Sequence, residues 1–241
     1  MRCSTATYRQ SVAVTDEKLK KDPENIYLAR GPRNRLNAEF VRDLVLESSS
    51  LLVKNIGGPS VKPYQPKGLW EAATSGRGVL ATYKQEHGDA LYRRGLYTFI
   101  KLTVPPPAMA LFDASNRDQC EVKRSKTNTP LQALMMLNDP TVLEASRVLA
   151  QKLSLENIGA GNRIEKAFHL IVCRKASAKE LMLLQSYYDT QLTEFTNNKL
   201  NAATTLAQGE YPSLIKPDNN TAALMKVIET IYNLEETITK S

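Results

Sequence analysis

Residues 92–150 read YRRGLYTFIKLTVPPPAMALFDASNRDQCEVKRSKTNTPLQALMMLNDPTVLEASRVLA, and this stretch decides the fold. Its first third, residues 94–101, alternates β-branched and aromatic residues as a strand does. Pro105, Pro106 and Pro107 stop any strand, because proline donates no ladder hydrogen bond. Residues 120–124, CEVKR, are a second short strand, predicted to pair with 94–101 as a small β-hairpin. Thr129-Pro130 and Asp139-Pro140 then each place a capping residue before a proline, the signature of a helix start. Helices over 130–137 and 140–153 follow, joined by a sharp corner.

Outward from this centre, helical periodicity dominates. Leu36, Phe40, Val41, Leu44, Val45, Leu51 and Leu52 trace one face of a helix over 36–53. Thr15 with Asp16 and Glu17 starts a short helix, and Pro23 restarts a turn or two over PENIYLAR. Residues 57–69, GGPSVKPYQPKGL, are too rich in glycine and proline for regular helix and form an extended arm. Asn162 caps a helix carrying Ile164, Ala167, Phe168, Ile171 and Val172. Ser177 and Glu180 form a capping box that opens a helix to about Asn197. A polar linker over 199–219 leads to a last helix bearing Leu224, Val227, Ile228, Ile231 and Leu234. The fold class is mainly α: a helical domain with a small β-hairpin and long proline-rich loops.

Composition bounds the function. The chain has 241 residues, 42% hydrophobic and 24% charged, which suits a packed globular core. No apolar run approaches the roughly 20 residues of a membrane span, and the N-terminus shows no signal peptide. Residues 1–130 hold 21 Lys/Arg against 13 Asp/Glu, and the remainder holds 11 against 12. The basic half is either a solvated surface or a dock for an acidic partner. Nucleic-acid binding needs a denser basic stripe than RRGLYTFIK offers. Cys3, Cys120 and Cys173 are scattered and odd in number, so they form no disulfide framework, no CxxCH for haem and no zinc signature with His87 and His169. No cofactor is expected in this chain.

Two groups of residues are candidates for function. Asp113, Arg117, Arg124 and Asn128 gather at one end of the expected hairpin. They form a polar site for an anionic or hydroxyl-rich ligand, or they brace irregular backbone, as Asp and Asn do in turns. Tyr64 and Trp70, on and beside the arm, either present aromatic faces to a sugar or peptide or tuck into the core. No GxSxG, phosphate-binding or dinucleotide-binding loop is present.

The motifs TYRQS (7–11), DPEN (22–25), LARGPRNRLNAE (28–39), GGPSVKPYQPKGLWE (57–71), LYRRGLYTF (91–99), TVPPPAM (103–109), FDASNRD (112–118) and RSKTNTPLQALMMLNDP (124–140), in that order, closely resemble Planctomycete-specific domain one, a domain of unknown function. Thr237 stands where the family's closing segment usually carries an aromatic. The resemblance implies the C-terminal part of that domain, with the domain's front outside this chain. Residues 1–155 are then the C-terminal part proper, and 156–241 its helical C-terminal subdomain. It further implies a periplasmic or cell-surface location in a multidomain protein, with haem confined to cytochrome-like domains upstream. The expected role is an accessory or binding domain that recognises a polysaccharide or a redox partner. The rival is a hydrolytic or redox enzyme built on Asp113, Arg117, Arg124 and Asn128.

Overall fold

The computed structural model describes residues 5–74, 77–78, 80–115 and 120–240. Its contacts divide the chain into two compact units, Met1–Leu36 with Glu235–Ser241, and Asn37–Leu234.

In the smaller unit, α1 (Asp16–Lys21) starts where expected, with the Thr15 side chain accepting from Lys18 N at 3.3 Å. The restart expected after Pro23 does not become a helix. The Asp22 carboxylate instead accepts from Ile26 N (2.8 Å) and Tyr27 N (2.9 Å), closing the segment as a side-chain-braced turn. Two short strands, β1 (Asn34–Arg35) and β2 (Thr239–Lys240), pair antiparallel.

The larger unit is helical. Its elements are α2 (Ala38–Ser48), α3 (Leu69–Thr74), α4 (Pro107–Leu111), α5 (Pro130–Asn138) and α6 (Pro140–Leu155). After these come α7 (Ala160–Val172), α8 (Ala178–Thr196), α9 (Ala202–Thr205) and α10 (Asn219–Tyr232). α10 buries residues around its whole circumference, including Ala223, Leu224, Val227, Ile228, Ile231 and Tyr232, so it is the centre of the core. α5, α6, α7 and α8 all pack on it. The Tyr232 hydroxyl, fully buried, meets Ser48 Oγ of α2 at 2.7 Å, which gives it the partner that a buried phenol needs.

The mainly α expectation holds, and both proline-led helices start at Pro130 and Pro140. The Ser177–Glu180 capping box forms in both directions. α2 ends at Ser48, short of 53, because Ser50 turns into the left-handed region at φ 58°. α7 starts at Ala160, before Asn162, with Gly159 in the cap position.

The expected β-hairpin does not form. Gly95–Tyr97 is a 3₁₀ turn, and the arm takes the pairing edge: Val61 N donates to Tyr97 O and Phe99 N to Val61 O, both at 2.8 Å. Gly95 also lies against the Glu39 backbone, where any side chain would collide, and its N–H is held by Asp43 Oδ1 at 2.6 Å. Residues 120–124 remain irregular, with Val122 fully exposed. Among the described residues, no helix is long and apolar enough to cross a membrane.

Candidate functional site

α6 reads as an apolar helix, yet one side of it carries Thr141, Glu144, Arg147 and Gln151, all buried. Spacings of three and four residues put these groups on one side as a polar ridge. Glu144 Oε1 accepts from Tyr92 Oη (3.0 Å) and Tyr211 N (2.6 Å). Arg147 donates from Nε to Gln208 O (2.7 Å), from Nη2 to Tyr211 O (2.6 Å) and from Nη1 to Gln151 Oε1 (3.0 Å). The two charges stand 3.8 Å apart.

Their partners belong to two irregular segments. Residues 206–213 are gripped by Arg147 and Glu144 from one side and by the arm from the other. Tyr64 Oη of the arm accepts from Glu210 N at 2.9 Å, and the Glu210 carboxylate meets His87 Nδ1 at 2.8 Å. Burial pushes the Tyr64 and Tyr92 phenols above their ordinary range, and the nearby Glu144 carboxylate adds to the rise. Burial likewise lowers the Arg147 guanidinium, with Glu144 opposing the shift.

Next to the ridge, a recess of about 60 Å³ opens between α2, α4, α5 and the start of α6. Met109, Phe112, Met135, Met136 and Val142 supply most of its apolar wall, and Arg42, Tyr64, Thr98, Asp139 and Thr141 supply its polar groups. α2 delivers Arg42 beside Ala38, Val41 and Val45. Its Nη1 donates to Thr141 Oγ1 at 3.3 Å and its Nη2 to Leu91 O. Arg42 Nε and Thr98 Oγ1 are enclosed and have no hydrogen-bond partner among the described residues. Burial lowers the Arg42 guanidinium, and Asp139 and Asp43 are the principal charges that oppose this. Asp139 Oδ1 caps α6 by accepting from Thr141 N at 2.8 Å. The recess thus offers donors, an acceptor and an apolar wall within one small volume.

The residues singled out from sequence fall in several places. Asp113, at φ 55°, accepts from Thr127 N (2.7 Å) and Thr127 Oγ1 (3.0 Å) and ties the 120–128 loop to the end of α4. Arg124 pairs with Glu39 Oε2 of α2 at 2.8 Å. Asn128 is exposed, and Arg117 lies outside the described residues. The hairpin end that was to gather these groups does not exist, and Asp113 and Arg124 have separate local partners. Trp70 is 1% exposed, edge-on to Tyr83 with ring centroids 5.0 Å apart and tilted against Phe99 at 5.7 Å. Trp70 therefore gives a ligand no open ring face, whereas Tyr64 stays half-buried and lines the recess. Arg42, Thr98, Asp139 and the α6 ridge were not singled out. The available signal was Glu144 and Arg147, an opposite-charge pair three residues apart within an apolar periodicity.

No curated protein and no solved structure matches the chain. A family model does: that of PSD1, described as a protein of unknown function (DUF1553), over residues 3–188. With the match covering most of its length, the chain is a member of the PSD1 (DUF1553) family.

Proposed function

We propose that this chain is a recognition module of a multidomain cell-envelope protein, one that holds a polysaccharide rather than transforming it. The envelope location rests on the family resemblance alone, and the binding role rests on the recess. There, unpaired donors at Arg42 and Thr98 face the same small volume as the Asp139 carboxylate and a methionine-rich wall. Sites of this composition hold ligands by shape and a few placed polar groups. The buried groups suited to acid–base chemistry, Glu144 and Tyr92, are hydrogen-bonded to each other, and Glu144 also holds Tyr211 N, a bracing arrangement. The enzyme reading built on Asp113, Arg117, Arg124 and Asn128 draws no support from the separate partners of Asp113 and Arg124.

The test is a neutral-glycan array probed with the full chain, with each hit followed by chromatography of the bound glycan after prolonged incubation. Saturable binding with the glycan recovered intact is the expected result. Accumulation of cleaved or oxidised product, lost in an Asp113→Asn or Arg124→Lys variant that stays folded, would replace this reading with the enzyme.

A further inference from the structure

We propose that the recess takes the acetamido group of an N-acetylated amino sugar, an inference that rests on the recognition-module reading and names the group recognised. Three features of the recess carry it. The first is size. About 60 Å³ of room for water-sized atoms, at roughly 10–15 Å³ each, suits about four to six non-hydrogen atoms. A methyl, a carbonyl carbon, its oxygen and an amide nitrogen fill that space, whereas a whole pyranose ring does not enter it.

The second feature is polarity. Arg42 Nε and Thr98 Oγ1 are enclosed without partners, and Thr98 is 5% exposed, so each is a donor lacking an acceptor. Leaving such groups unpaired is costly, and a ligand carbonyl oxygen supplies what they lack. Asp139, on the same recess, is an acceptor for the amide N–H. Asp139 also decides the ligand's charge. Together with Asp43 it already opposes the Arg42 cation and would repel a carboxylate, so a neutral group bearing both an acceptor and a donor fits better than an anion.

The third feature is the wall. Met109, Met136 and Phe112 form an apolar surface for the acetyl methyl. At the rim, the half-buried Tyr64 is fixed by the Glu210 N–H bond to its hydroxyl, and Pro106 stands on the same recess. A rigid aromatic ring beside a pocket suits the flat face of the sugar that carries the acetamido group. This favours an amino sugar over an acetylated peptide.

The experiment is calorimetric titration of the full chain with N-acetylglucosamine, glucosamine, glucose and a peptide containing N-acetyl-lysine. A ligand this small is expected to bind with Kd of about 1 mM. Glucosamine and glucose should bind at least about tenfold more weakly, the worth of one or two hydrogen bonds. Thr98→Val keeps the shape, removes a hydroxyl that has no protein partner, and should lose about tenfold in affinity with an unchanged melt. Ala108→Met, on the partly exposed α4 wall, should fill the recess and abolish binding while the protein stays folded. No binding of N-acetylglucosamine, an equal affinity for glucose, or an equal affinity for the acetylated peptide overturns the inference. So does N-acetylglucosamine affinity untouched by Ala108→Met. Glycan binding that ignores the acetamido group overturns this inference alone and leaves the recognition module standing. Turnover of the glycan overturns the module reading, and Thr98→Val still reports on the acetamido contact.

Discussion

Gly209 lies directly against the carboxylate of Glu144, with φ +76° and no room for a Cβ. Two independent constraints therefore require glycine there: a left-handed backbone and contact with a buried acid. Gly209→Ala is expected to cost about 3 kcal/mol, combining the strain of a positive φ with displacement of a fully hydrogen-bonded group. Chemical denaturation measures this directly. A loss under about 0.5 kcal/mol, the range of an ordinary surface substitution, would show that the 206–213 segment yields freely.

Arg147 holds two carbonyls of that segment and balances Glu144, so its removal strands several buried groups at once. Arg147→Met is expected to destabilise by about 3–5 kcal/mol. The double change Glu144→Gln with Arg147→Met should cost less than the sum of the two single changes, since the stranded charge is gone. Strict additivity in that cycle would mean the two side chains act independently.

Asp113 and Arg124 should behave as braces. Asn tolerates the left-handed backbone at position 113, so Asp113→Asn weakens only the bonds to Thr127, by about 1 kcal/mol. Arg124→Lys loosens the partly exposed pair with Glu39 by about 0.5–1 kcal/mol. Neither residue lines the recess, so glycan affinity at a temperature where both proteins are folded should not change. A tenfold loss of affinity with an unchanged melt would move the binding site to this loop.

Glu180 provides the pH dependence. The Arg174 guanidinium and the Ser177 cap hold its carboxyl down at about 2, below the ordinary value of 4.5. A depressed carboxyl contributes stability in full above its unfolded pKa and loses it as pH falls toward the folded value. The group is about one-third exposed, so the effect is discounted for screening to about 0.5–1 kcal/mol. The melting-temperature gap between the native chain and Glu180→Gln should be largest above about pH 5 and close as pH falls toward 2. A gap independent of pH would show that the charge of Glu180 contributes nothing.

Helix starts were legible in the sequence because their chemistry is local. Thr129-Pro130, Asp139-Pro140 and the Ser177–Glu180 box each involve residues within three positions of one another. The recess and the ridge were not legible, because their parts are far apart in sequence. Arg42 meets Thr141 and Leu91, and Glu144 meets Tyr92 and Tyr211, all across irregular segments without a periodic signal. The hairpin was misjudged for a related reason. The composition of 94–101 suits a strand, but composition does not say which neighbour occupies its edge, and Val61 of the arm takes it. Trp70 shows the same limit: beside glycine and proline it resembles a surface aromatic, and only packing with Tyr83 and Phe99 places it inside.

The grip of Arg147 on Gln208 and Tyr211 also sets an order of assembly. A chain emerging from the ribosome presents α6 long before residues 208–211 exist outside the tunnel. Until then Glu144 and Arg147 have each other and Tyr92, but not the backbone groups that complete their shell. The ridge, and with it the Tyr64 rim anchored through Glu210, is finished only when the C-terminal third arrives. A nascent chain stalled before residue 208 should therefore carry most of its helices and yet be unable to recognise its ligand.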